Sequence, residues 1–306
     1  MKDLYTKVVV PVSEKKIEYG SKILLLGSCF AENIGEKFGE NYFQAIVNPF
    51  GTLYNPASIM NAITLSLAGN TEHNILAHNG LWHSMMHHGS FSHPNKDEVI
   101  HCCQTSLSTL RQALHDASII IITFGTAWVY EYAGKVVGNC HKIPANQFVR
   151  RRMTVEEIVA TWQPLVEAMP DKKWLFTVSP IRHVKDGLHE NHINKGILLQ
   201  AVEQLTKQSG CSYFPAYEIM LDELRDYRYY AEDMVHPSFM AVEYIWQRLV
   251  ETYMTADTQA EMKTLHQLWR DEHHRFIHPD SMEAKRFLER LEQKKHELQE
   301  DYPWIE

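Results

Sequence analysis

ILLLGSCFAENIG, residues 23–35, changes its periodicity midway. Ile23 to Leu26 are four consecutive apolar residues, the continuous run of a strand buried on both faces. Beyond Gly27 the apolar positions become Phe30, Ile34 and Phe38, one in every four, which is the spacing of a helix. The segment therefore reads as strand, tight turn and helix, with Gly27, Ser28 and Cys29 in the turn. A small polar nucleophile there sits on a sharp exposed bend, where the first free N–H groups and the positive end of the helix face whatever binds.

The same alternation continues outward from this unit. Apolar runs at Phe43 to Val47, Ile119 to Thr123, Trp174 to Val178 and Tyr213-Phe214 supply four further strands. Helical periodicity fills roughly 56–67, 101–116, 154–168 and 191–208. Strands alternating with helices predict an α/β fold, a mostly parallel sheet covered on both faces, with ligands bound beyond the carboxyl ends of the strands. Residues 69–100 lack periodicity and carry many His, Asn, Ser and Gly, so they read as a long insertion over one edge. From about residue 257 the chain is rich in Glu, Lys, Arg and Gln, with Leu265, Leu268, Trp269, Phe287, Leu288 and Leu291 at helical intervals. The expected organisation is one domain over residues 1–255 and a C-terminal helical extension over 256–306, packed upon it.

Composition excludes several classes of function. The 306 residues carry a formal net charge of -8, so the protein as a whole offers no basic field to a nucleic acid backbone. No apolar run approaches signal-peptide or membrane-span length, which makes the cytoplasm the expected location. Five cysteines, an odd number without a CxxC spacing, argue against a disulfide framework and a thiolate zinc site. No cofactor-binding motif is found, and no feature speaks to oligomeric state.

A second candidate lies near the end of the predicted domain. In AEDMVHPS, residues 231–238, Asp233 and His236 are three apart, and Pro237-Ser238 leads into a helix whose apolar side reads Phe239, Val242, Ile245, Trp246 and Leu249. One turn can aim both side chains the same way. The carboxylate then orients the imidazole, which takes the proton of a nucleophile elsewhere in the fold.

Gly27-Ser28-Cys29-Phe30-Ala31 at one end and Asp233-Met234-Val235-His236-Pro237-Ser238 at the other flank an alternating α/β region. Between them stand NPFGTLYNP, TFGTAWVY, GNCHKIP and TVSPIRH. With these segments in this order the chain resembles the GSCFA family, which is grouped with the SGNH or GDSL hydrolases. The resemblance covers most of residues 20–255. It implies a flavodoxin-like three-layer sandwich around a five-stranded sheet, and an esterase or acyltransferase acting through an acyl-enzyme. An acylated saccharide or cell-envelope precursor is the substrate class so implied.

Two departures from the SGNH pattern bear on the chemistry. Where that pattern reads Gly-Asp-Ser, this chain reads Gly27-Ser28-Cys29, which aligns Cys29 with the nucleophile and puts Ser28 in the Asp slot; either can be the attacking group. Where the pattern reads Gly-x-Asn, Gly125-Thr126-Ala127 has no Asn to bind an oxyanion. Candidate replacements are the Gly51 N–H and the Asn139 side chain, with Thr126 and His141, and further Arg182 and His183, as pocket residues. The altered blocks also admit a ligand-binding protein without catalysis. A third reading is a metal-dependent hydrolase using His83, His87, His88 and His93, in which His83 and His87 would share a face if the segment were helical. Against it, no HExxH occurs, and residues 89–92, GSFS, interrupt any helix. No metal site is assigned.

Overall fold

A computed structural model describes residues 6–11, 16–69 and 75–305. The apolar runs form one five-stranded parallel sheet: β1 (Ile23–Gly27), β2 (Ala45–Val47), β3 (Ile119–Phe124), β4 (Lys173–Val178) and β5 (Cys211–Phe214). Their spatial order is β5-β4-β3-β1-β2. Every pairing is parallel, with Gly27 beside Thr123 and Thr123 beside Thr177 at the carboxyl ends. This is a doubly wound α/β sandwich, and its topological switch point lies between β1 and β3.

Alternation within the strands divides the core in two. Ile23, Leu25, Ile119, Ile121 and Leu175 face one side, where α1 (Cys29–Glu40) and α6 (Phe239–Tyr253) pack. Leu24, Leu26, Ile120, Ile122, Phe124 and Phe176 face the other. There they meet α2 (Pro56–Ala68), α3 (Lys96–Asp116), α4 (Val155–Ala168) and α5 (Leu188–Leu205). Burial on both faces is why β1 and β3 contain no polar residue before Thr123.

The C-terminal region forms α7 (Ala256–Glu272) and α8 (Met282–Asp301). Met262, Leu265, Leu268 and Leu291 enter the same cluster as α1 and α6. Trp304 donates its indole N–H to the Tyr42 carbonyl at 2.8 Å. On α6, Val242, Ile245, Trp246 and Leu249 are buried as the spacing predicts, but Phe239 is 75% exposed. It stands in the first turn and carries the Lys37 ammonium 4.7 Å from its ring centroid.

Residues 69–100 are more regular than their sequence suggests. Ile75–His78 and Leu81–Ser84 form an antiparallel hairpin. The first turn of α3 begins at Lys96, capped by the Asn95 side chain. A polar first turn, Lys96-Asp97-Glu98, hides that start from a periodicity argument. Residues 70–74 lie outside the described residues. A further ribbon, unsignalled in the sequence, pairs Trp128–Tyr132 with Lys135–Val136 and Val149–Arg152. Among the described residues no helix is long and apolar enough to cross a membrane.

Candidate active site

β1 ends where no side chain fits. Gly27 has φ +143°, and a Cβ there would lie 2.2 Å from the Thr123 carbonyl oxygen of the adjoining strand. The next residue, Ser28, caps α1: its Oγ accepts the Phe30 N–H at 3.3 Å, and its own N–H donates to Thr123 at 3.2 Å. Ser28 is 2% exposed. Cys29, the first residue of the helix, is half-buried, and its Sγ lies 3.5 Å from the Tyr54 hydroxyl. Burial and the neighbouring thiol push the Tyr54 phenol above its ordinary pKa, so it stays protonated and can donate to sulfur. The Cys29 N–H has no intrahelical partner, being one of the orphan donors of the first turn.

Asp233 and His236 sit in a loop pinned at both ends. The loop is closed by the Tyr230 to Pro237 bridge and by the Ala231 N–H donated to the His236 carbonyl at 2.8 Å. Arg182, beyond β4, donates its N–H to Val235. Within the loop, Asp233 Oδ1 accepts the N–H groups of Val235 and His236 at 2.9 and 3.0 Å, and Oδ2 meets His236 Nδ1 at 2.6 Å. These bonds hold the Asp233 carboxyl down at a pKa of about 2. An ionised Asp233 takes the Nδ1 proton as its donor, which leaves Nε2 to accept another.

A cavity of about 520 Å³ opens at the carboxyl ends of the strands, lined by Ser28, Cys29 and His236 together. Asp233 supports it through His236. Thr126 and Asn139 also line it, as do Arg182 and His183. Thr126 is occupied structurally: its hydroxyl donates to Asn194 Oδ1 and accepts the Trp128 N–H. Asn139 accepts the His141 N–H at its Oδ1.

Two of the expected pocket residues stand elsewhere. Gly51 does not line the cavity, and its N–H is taken by the Asn48 carbonyl at 2.7 Å, so it is not an oxyanion donor. His141 lies outside the lining too, with Nε2 on the Ser84 carbonyl at 2.8 Å and its ring 4.6 Å from that of His83.

The histidines of residues 83–93 take separate partners. His83 lies on a strand and bonds Ser92, whereas His87 bridges Ser84 and Ser106 and stacks on Phe50. His88 bonds Ser90, and His93 accepts the Asn95 N–H. His83 lies on the strand and His87 in the turn beyond its end at Ser84, so the two do not present the shared helical face a metal would need. Among the described residues no three His, Cys, Asp or Glu side chains come together as metal ligands would.

Several site residues were not singled out by the sequence. Asn55 lines the cavity while its Oδ1 caps α2 through the Ser58 N–H at 2.8 Å, a role fully signalled by Asn-Pro at a helix start. Lys195, buried without a carboxylate, donates to the carbonyls of Gly125 and Ser179 at 2.7 Å each. Burial brings its ammonium down to a pKa of about 7. His183 is lowered to about 4, by burial first and then by Lys195. The clue to Lys195 is positional: Asn191, Asn194 and Lys195 occupy the stripe of α5 that Leu198, Ala201, Val202 and Leu205 continue into the core.

Compared with protein-family models, residues 22–249 match that of the GSCFA family. The chain belongs to the GSCFA family. Both ends of the matched region fall within the sandwich, so the family's extent includes every cavity-lining residue of this GSCFA chain, from Ser28 to His236. No curated protein matches the sequence.

Proposed function

We propose that this chain is an acyl-transfer enzyme, an ester hydrolase or O-acyltransferase, with Cys29 as nucleophile, His236 as base and Asp233 as the group orienting it. The observation that carries this reading is one cavity lined by both Cys29 and a histidine whose other nitrogen is held by a carboxylate at 2.6 Å. His236 Nε2 takes the thiol proton as sulfur attacks the acyl carbonyl. The tetrahedral oxyanion is met by the unpartnered Cys29 N–H and a side-chain amide, that of Asn55 or Asn139. Collapse expels the alcohol, which leaves with the proton from His236, and a thioester remains. Water or an acceptor alcohol then attacks the thioester with His236 again as base, releasing acid or new ester and restoring the thiol.

Ser28 is less suited to attack, since its hydroxyl caps the helix and the residue is almost wholly buried. Trp128 and Tyr130, with Arg150 stacked on Trp128, give the lining the mixed aromatic and polar surface that suits a saccharide. All five cysteines are free, which fits a reducing compartment such as the cytoplasm.

The test is turnover of short-chain p-nitrophenyl esters by wild type and the Cys29→Ala, Ser28→Ala and His236→Ala variants. Expected are inactive Cys29→Ala and His236→Ala proteins and an active but less stable Ser28→Ala. An active Cys29→Ala with a dead Ser28→Ala would transfer the nucleophile to Ser28. Equal background rates in all four would sink the acyl-enzyme and leave a ligand-binding protein.

A further inference from the structure

The charges lining the cavity do not cancel. Arg150 is held bidentately by Asp186, with one N–O distance of 2.9 Å, and it stacks on Trp128 at 3.9 Å. Among the described residues Asp186 is the sole carboxylate in the lining itself and Arg150 takes it, while Asp233, behind the wall, is spent on His236. Among the described residues Arg182 has no carboxylate partner: its guanidinium carbon sits over the Tyr230 ring, 3.8 Å from the centroid, with its Nη1 donating to the Met234 carbonyl at 3.5 Å. Lys185, exposed at the same wall, makes no ion pair or hydrogen bond among the described residues. Behind the wall the buried Lys195 amine donates only to carbonyls and adds positive charge whenever it is protonated. A chain of net charge -8 thus keeps a positive cavity, against the sign of its surface as a whole.

Contact with the Tyr230 ring and the bond to the Met234 carbonyl restrain the Arg182 guanidinium before any ligand arrives. A preset guanidinium loses little freedom on pairing and offers the fork that matches the oxygens of a carboxylate or a phosphate. We infer that the molecule bound here carries an anionic oxygen group, carboxylate or phosphate, which Arg182 and Lys185 receive while the rest of it extends toward Cys29. The inference rests on the acyl-transfer reading only for calling that molecule a substrate.

Alkylation of Cys29 tests the charge without requiring turnover. The sulfur displaces iodide from neutral iodoacetamide or anionic iodoacetate, forming a thioether and releasing iodide, and peptide mass spectrometry reads each cysteine separately. Cys102, exposed on α3, is the reference within the same protein. At low ionic strength the iodoacetate-to-iodoacetamide rate ratio at Cys29 should exceed that at Cys102 by about tenfold, since two nearby unpaired cations attract the anion. It should fall to the Cys102 value in an Arg182→Gln, Lys185→Gln double variant and shrink in 0.5 M salt.

Calorimetric titration with inorganic phosphate and with succinate needs no reactive thiol and separates the two oxygen groups by which binds more tightly. Either anion should bind at least tenfold more weakly to the double variant. A Cys29 ratio no higher than that of Cys102, a ratio unchanged in the double variant, or no binding of either anion would overturn the inference. None of these outcomes depends on ester turnover, so the anionic group can fail while the acyl-enzyme stands, and the reverse.

Discussion

Asp233 shows how little of a residue's role lies in its burial. Its side chain is 49% exposed and that of His236 45%, so water screens their attraction and the pair adds little to stability. What the carboxylate does is directional: two backbone N–H groups fix Oδ1, and Oδ2 is thereby placed against Nδ1. With a pKa of about 2, Asp233 stays ionised through any working pH. Asp233→Asn keeps the shape but removes the charge that favours the Nδ1–H tautomer and supports the imidazolium. We expect kcat/KM toward an active ester to fall on the order of 10²- to 10⁴-fold, with the melting temperature nearly unchanged. A variant that keeps full activity would remove Asp233 from the mechanism, and parallel loss of folding would make its role structural.

At the scale of elements, the elbow depends on α1 lying close to β2. Gly35 permits this: an added Cβ would come within 2.4 Å of Val47 Cγ2 and 2.9 Å of its Cγ1. Alanine gains about 1 kcal/mol in helix propensity over glycine, but overpacking against a stiff β-branched side chain costs about 1–3 kcal/mol. Gly35→Ala should therefore destabilise, and Val47→Ala in the same chain should recover part of the loss. Denaturant melts of both single variants and the double give the coupling; strictly additive effects would show that the contact is not felt. The strand and the helix on either side of Gly27 were legible because their periodicities differ, and Asp233 with His236 because three residues bring them to one loop. Tyr54, Asn55 and the ribbon carrying Trp128 and Arg150 were not. Asn55 is fully explained as a helix cap, and the others meet Cys29 only through tertiary placement, which no local pattern encodes. Residues 69–100 failed for a related reason, since a four-residue hairpin strand is too short to show its period.

The whole molecule carries the consequence of burying a lysine beneath its sheet ends. Lys195 has a pKa of about 7 in the folded chain and about 10.4 when unfolded. Between those values the unfolded chain binds a proton that the folded chain does not, so this group makes stability rise with pH. Its contribution is full above the unfolded pKa and is lost as pH falls through 7. His183 acts in the same direction lower down, losing its contribution as pH falls from about 6.5 toward 4. From about pH 8 upward other groups act with the opposite sign, because burial pushes Cys103 and Cys211 up to about 11 and raises Cys140 too, while the unfolded thiols ionise first. The window from about pH 7 to 8, below the ordinary thiol range, is therefore where Lys195 dominates. There the wild-type urea midpoint should climb, with a limiting slope of about 1.4 kcal/mol per pH unit for one proton. Lys195→Met should flatten this slope even if it lowers stability throughout by leaving the Gly125 and Ser179 carbonyls without their donor. An equal slope in the variant would mean that Lys195 keeps its proton across the window, and that the cation beneath the cavity stays fully charged there.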